Sequence, residues 1–122
     1  MTTTINQLEK AFINSLETIL NNIDIETIDE ILDNRDEETF SDVWTNAYEE
    51  TKHFTIEPKL KTEIDRIREN IFKTVFQKTN SSDLSAYISD DFDLIALHLL
   101  ADSKNNWIVA LQETYLKNEI PQ

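Results

Sequence analysis

The sequence predicts an all-α protein, and three observations lead to this prediction. The 122 residues include no glycine, although β-hairpin turns usually need glycine for positive φ. Asparagines, which can replace glycine at the C-terminal ends of helices, follow the apolar stretches at residues 21, 22, 34, 80 and 118. Apolar residues recur every three or four positions, which is the spacing of one helix face. We therefore expect a single compact helical domain over residues 1–122, with five to six helices and a C-terminal antiparallel helical hairpin as its core.

The first half of the chain is predicted to contain three helical segments. Thr4 and Gln7 have the spacing of a capping pair at the start of a helix whose apolar stripe is Ile5, Leu8, Phe12, Leu16, Ile19 and Ile23. The segment 24–33 places acidic residues around most of its circumference and Ile25, Ile28, Ile31 and Leu32 on one side. A third helix is predicted to begin near Thr39, whose hydroxyl can cap it, and to carry Phe40, Val43, Trp44, Ala47 and Tyr48.

A fourth helix is predicted to begin at Pro58, because proline is favoured at the first helical position, where its missing N–H is not needed. Its inward row is Leu60, Ile64, Ile67, Ile71 and Val75. Residues 80–83 are expected to form a loop, and Leu84, Tyr87 and Ile88 indicate a short helix after it.

The most apolar stretch, residues 92–101, predicts the central helix. Only Asp93 and His98 are polar in it, and a helix that is apolar on nearly all sides must be buried on nearly all sides. We expect this helix to span residues 90–102, with Ser89 or Asp90 as its cap and with Asp91 and Asp93 near the positive end of its dipole. A polar turn then leads to a second helix, residues 106–118, which carries Trp107, Ile108, Leu111 and Tyr115 and which Pro121 closes.

These stripes predict which side chains are mostly buried. They are Phe12, Leu16, Val43, Trp44, Ile67, Ile71, Phe72, Leu94, Ile95, Leu97, Leu99, Trp107 and Leu111.

Composition excludes several classes of protein and of site. The chain has no cysteine, so disulfides, thiolate metal sites and cysteine nucleophiles are excluded. The N-terminal sequence MTTTINQLEK lacks the basic and apolar regions of a signal peptide, and no apolar run reaches the roughly 20 residues that a membrane helix needs. We therefore expect a cytoplasmic protein.

The sequence does not predict an enzyme. Glu50 and His53 have the Glu-x-x-His spacing of di-iron bundles, but such a site needs a second element of this kind, and Ile95 stands three residues before the only other histidine, His98. The absence of glycine also argues against an EF-hand loop. His98 is expected to be a buried imidazole that is hydrogen-bonded to a carbonyl or to Tyr87, Asp102 or Tyr115, since no serine or cysteine nucleophile accompanies it. We expect no catalytic residue, cofactor or metal.

Charge is unevenly distributed along the chain. The net charge is −13, and residues 24–50 contribute −10 of it because eleven acidic residues accompany Arg35 alone. Such a chain lacks the basic surface that nucleic acid and anionic membranes require, so neither is an expected partner. The acidic segment is either a solvated face that maintains solubility or a docking surface for a basic protein. In the second interpretation the partner-binding residues are Asp24, Glu26, Asp29, Glu30, Asp33, Asp36, Glu37, Glu38 and Asp42.

In size, helicity and charge the chain resembles small acidic inhibitors of nucleases such as bacterial toxin immunity proteins, although no motif contributes to this resemblance. It implies a protein-interaction module that inhibits a basic partner such as a nuclease toxin. The alternative is a structural or homo-oligomeric helical subunit without catalytic activity, for example a homodimer. A toxin or nuclease gene beside this one would favour the first hypothesis.

Overall fold

Six α-helices form the fold. The computed structural model describes residues 2–122, and the side chains from residue 4 onward. Its elements are α1 (Thr2–Asn22), a short 3-10 helix (Ile25–Thr27), α2 (Ile28–Asp36), α3 (Glu38–Thr51), α4 (Pro58–Thr79), α5 (Ser82–Ala101) and α6 (Asn106–Leu116). The chain is 82% helical, and the described residues form no strand. The all-α prediction is confirmed.

Helix α5 is the centre of the fold, because it packs against each of the other five α-helices. It is one continuous helix, whereas the sequence predicted a short helix followed by a second start near Ser89 or Asp90. The side chain of Ser81 caps α5 by accepting a hydrogen bond from the Leu84 N–H at 3.1 Å. Because no proline or glycine lies between residues 82 and 101, no residue interrupts the helix. The expected cap and the dipole role of Asp91 and Asp93 are therefore wrong, since these residues lie in the middle of α5.

The predicted C-terminal hairpin of α5 and α6 is present. Asp102 and Lys104 adopt positive φ in the connecting turn, and the Asn105 side chain caps α6 through the Ile108 N–H at 3.1 Å. The most extensive contact of α5, however, is with α4. These two helices are joined at Asn80, whose left-handed φ of 57° ends α4 and matches the predicted role of that asparagine.

The start of α4 matches the prediction, whereas the ends of several other helices differ from it. Pro58 is the first residue of α4, as predicted. Helix α1 begins at Thr2, so Thr4 lies inside it, and α3 begins at Glu38 rather than near Thr39. Asn34 lies within α2 rather than after it.

One cluster of buried apolar side chains draws on all six α-helices. Phe12 of α1 lies near its middle, with its ring centroid 5.3 Å from that of Phe92 and 4.6 Å from that of Tyr115. The side chains predicted to be buried that are buried are Phe12, Leu16, Ile67, Ile71, Leu94, Ile95, Leu97 and Leu111. The half-buried ones are Trp44, Phe72 and Trp107.

Two predictions of burial are wrong. Val43 is 37% exposed and Leu99 is 40% exposed. Val43 lies on α3, a peripheral helix that buries only Ala47. Leu99 lies in the last turn of α5, where burial ends and residues 99–102 are exposed or half-buried.

Ion pairs accommodate two of the carboxylates in the apolar helix α5. Arg68 of α4 donates to Asp90 at 2.7 Å, and Lys61 lies 3.5 Å from Asp93. Burial raises the pKa of Asp90 above its ordinary value, although the charge and hydrogen bond of Arg68 oppose this shift. No helix within residues 2–122 is long and apolar enough to span a membrane.

Candidate partner-binding surface

The acidic segment lies on the outside of the molecule. All nine predicted partner-binding residues are exposed, on the 3-10 helix, α2, α3 and the positions next to them: Asp24, Glu26, Asp29, Glu30, Asp33, Asp36, Glu37, Glu38 and Asp42. Glu49 and Glu50 are the remaining acidic residues between positions 24 and 50, and both are exposed as well. We call the surface formed by these eleven side chains the acidic face.

Local packing gives the acidic face its orientation. Ile28 and Ile31 of α2 are buried in the core, with 5% and 7% exposure, and Leu32 is half-buried against it. The carboxylates on the other sides of α2 therefore face solvent. Ile25, which the sequence placed with Ile28 on the inner side, is 51% exposed, because it belongs to the 3-10 helix and not to the helical repeat of α2.

Arg35, the only basic residue of the segment, does not neutralise the acidic face. It is 5% exposed, and its two Nη atoms each donate to a different oxygen of Asp91 at 2.7 Å. This is the bidentate geometry that makes an arginine–carboxylate pair strong. The acidic face therefore exposes carboxylates and no cation from its own segment.

The Arg35–Asp91 pair is the centre of a buried polar network. Asp91 is fully buried and also accepts hydrogen bonds from Trp44 Nε1 at 2.9 Å and from the Tyr115 hydroxyl. Arg35 also donates to the carbonyl oxygen of Pro121 at 3.2 Å. The network thus connects α2, α3, α5, α6 and the C-terminal residues, and it fixes α2 and α3 on the core.

Burial and charge determine the protonation of two members of this network, Arg35 and Tyr115. Burial opposes the charge of Arg35, but the charge and hydrogen bonds of Asp91 outweigh it, so the pKa of Arg35 is raised above its ordinary value. Burial, together with the negative charge of Asp91, raises the pKa of Tyr115 well above its ordinary value. Arg35 is therefore charged and Tyr115 is neutral at physiological pH, and both act as donors.

Sequence reasoning missed this network, although the sequence contained a signal for it. Arg35 is the only base in a strongly acidic segment, and Asp91 immediately precedes the most apolar stretch of the chain. A charged residue that must be buried needs a partner of opposite charge. Each of these two residues is the exception in its surroundings, which indicates that each needs a partner but does not identify that partner.

The carboxylates of the acidic face have few internal partners. Asp24 accepts from the Glu26 N–H at 3.0 Å, and Asp36 accepts from the Tyr87 hydroxyl. Glu49 pairs with Lys52 at 3.0 Å, and Glu50 accepts from Asn105. Within residues 2–122, none of the nine predicted residues forms an ion pair with a basic side chain.

The two histidines differ in their surroundings: His98 is buried and His53 is exposed. His98 is 3% exposed, and its Nε2 lies 2.9 Å from the Ala47 carbonyl oxygen and its Nδ1 lies 2.6 Å from Ser103 Oγ. Both ring nitrogens therefore form hydrogen bonds. The expected bond to a carbonyl oxygen is present, and the second partner is Ser103 instead of one of the other side chains named from the sequence. His53 is exposed and lies beyond the end of α3. In the part of the chain that the structure describes, no group of three or more His, Asp and Glu could hold a metal ion.

Comparison with protein families gives one result. The family model described as Immunity protein PIM1 matches residues 3–122, which is nearly the whole chain. No curated protein matches the chain.

Proposed function

This chain belongs to the Immunity protein PIM1 family, and we propose that it inhibits a basic toxin by binding it through the acidic face. It is an immunity-type protein-interaction module.

The observation that carries the proposal is that Arg35 is buried, whereas all eleven acidic side chains of the same segment are exposed. Carboxylates at this density repel one another, and a basic partner relieves that repulsion on binding. The field of such a face also attracts a basic protein over distance and accelerates association. An acidic face can imitate the phosphate row of a nucleic acid, so a nuclease toxin is the partner class that we favour.

Exposed apolar side chains among the carboxylates support the same surface. Tyr48 is 41% exposed, and its ring stacks on that of Trp44 with a centroid distance of 5.7 Å. Val43 and Ile25 are exposed on the same segment. Aromatic and aliphatic groups of this kind form the centre of protein interfaces, while charged groups surround them.

The second candidate from the sequence is a homodimer. The acidic face argues against a dimer in which this face of one subunit packs on the same face of the other. A two-fold symmetric interface places the same surface of each subunit against itself. Such an interface on the acidic face would bring two sets of carboxylates together, which is destabilising. Sedimentation equilibrium of the purified protein measures whether self-association occurs through any other surface. The cytoplasmic location and the absence of nucleic-acid binding stay predictions.

The test captures the toxin from the native host with this chain as bait and then measures its association with the purified chain at low and at high salt. The variant Asp29→Lys, Glu30→Lys, Asp33→Lys reverses three exposed charges of α2. We expect its association rate constant to fall by about 10- to 100-fold at low salt, with a weaker dependence on salt than in the wild type.

The matched control reverses three exposed acids outside the acidic face: Glu17→Lys, Asp83→Lys and Glu113→Lys. The control has the same change in net charge, so it separates a local effect from a general one. Equal association rates for the two triple variants, or for the α2 variant and the wild type, would show that the acidic face does not bind the toxin.

A further inference from the structure

A second surface feature, which we call the α1–α6 groove, lies beside the acidic face. It has a volume of about 650 Å³ and runs between the C-terminal end of α1, α2, α6 and the residues after α6. Its walls are about half apolar and half polar, and the apolar part includes Ile23, Ile31, Phe40, Trp107 and Leu111. The ring of Phe40 meets that of Trp107 edge to face, with a centroid distance of 5.4 Å.

The charge of the groove has one sign. Among the residues that line it, the only ionisable ones are Asp24 and Glu119, and both are exposed. The remaining polar residues of the lining are neutral amides and threonines. Asp24 also belongs to the acidic face, so the groove and that face are continuous.

The wall formed by the C-terminal residues is held in place in the free protein. Ile120 and Pro121 are buried, and the Pro121 carbonyl accepts the hydrogen bond from Arg35. Asn34 Nδ2 donates to Gln122 Oε1 at 2.8 Å. Because α2 anchors this wall, the groove needs no ordering on binding, and preformed sites avoid that entropic cost.

We propose that the α1–α6 groove binds an aromatic or aliphatic side chain from a basic segment of the toxin. This inference rests on the proposed function and adds the apolar anchor to it. The acidic rim selects a segment with lysine or arginine beside the anchor, and the apolar part of the walls accepts the anchor itself. Interfaces obtain most of their affinity from a few such side chains in desolvated pockets, and surrounding charges chiefly set the association rate.

The test fills the groove. Ala110 lines it, so Ala110→Trp places a large side chain where the anchor would bind. The neighbouring Val109 is 49% exposed and does not line the groove, so Val109→Trp is the matched control. Thr114→Lys, which introduces a positive charge into the groove, is a second variant that leaves the core unchanged. The probe is the same captured toxin, and thermal unfolding verifies that each variant is folded.

We expect Ala110→Trp and Thr114→Lys to weaken toxin binding by at least about tenfold, as the loss of a hot-spot contact does. For Ala110→Trp the change should lie in the dissociation rate and persist at high salt. Val109→Trp should bind as the wild type does.

Wild-type affinity of folded Ala110→Trp and Thr114→Lys would overturn the inference. If the α2 charge reversal still slowed association in that case, the proposed function would stand without the groove. If neither the groove variants nor the charge reversal changed binding, both proposals would fail. If Ala110→Trp converted a wild-type dimer to a monomer and left toxin affinity unchanged, the occupant would be a second copy of the chain, which also overturns the inference.

Discussion

Removing the guanidinium of Arg35 should destabilise the protein more than removing any surface arginine. Asp91 is fully buried and accepts four hydrogen bonds, two of them from Arg35. In Arg35→Met the carboxylate stays buried with only two neutral donors, from Trp44 and Tyr115. Breaking a buried pair in this way costs about 3–5 kcal/mol, a large part of the roughly 5–15 kcal/mol that stabilises a typical domain.

The assay is urea denaturation followed by far-ultraviolet circular dichroism. Arg66→Met is the control, because the Arg66 side chain is 54% exposed and its ion pairs lie at the surface, where such pairs contribute less than about 1 kcal/mol.

The double variant Arg35→Met, Asp91→Leu removes both charges, so it should be more stable than the sum of the two single variants predicts. The expected difference from additivity is about 2 kcal/mol, near the upper part of the range for residues in direct contact. A loss below about 1 kcal/mol for Arg35→Met, or strict additivity in the double variant, would refute the assignment of this pair as the anchor of α2.

Three further predictions concern the core, a helix cap and alkaline pH. Leu94→Ala should lower the free energy of unfolding by about 2–5 kcal/mol, whereas Leu99→Ala should lower it by less than about 1 kcal/mol. The reason is that Leu94 is 1% exposed and Leu99 is 40% exposed. Equal losses for the two variants in urea denaturation would contradict this prediction. Ser81→Ala should cost about 1 kcal/mol because Ser81 caps α5, and exposed Ser82→Ala should cost less than half of that; the reverse order would place the start of α5 elsewhere. Because the pKa of Tyr115 is raised in the folded state, its stabilising contribution is complete below pH 10 and is lost as pH rises further. The stability difference between wild type and Tyr115→Phe should therefore be constant near neutral pH and shrink above about pH 10, and a difference that grows there in a pH series of urea denaturations would be inconsistent with a buried neutral tyrosine.

The fold class and the exposure of the acidic face could be predicted from the sequence, because both depend on the spacing of residues along short segments of the chain. The spacing of apolar residues determines which side of each helix faces the core, and this identified Phe12, Leu16, Ile67, Ile71 and Leu111 as buried. The same spacing places the acidic residues of α2 opposite Ile28 and Ile31, so their exposure follows. Pro58 and Asn80 mark the ends of α4 for reasons of backbone geometry alone.

Only the tertiary structure decided which charges are buried as a pair and how much of each apolar helix side is covered. Arg35 and Asp91 lie 56 positions apart, and no periodicity relates them, so their pairing appears only when α2 packs on α5. The carboxylates that suggested a helix start at residue 90 lie inside α5, where basic side chains of α2 and α4 form ion pairs with them. The exposure of Val43 and Leu99 likewise depends on where neighbouring helices end. Helix spacing shows which side of a segment is apolar, but long-range packing determines how much of that side is covered.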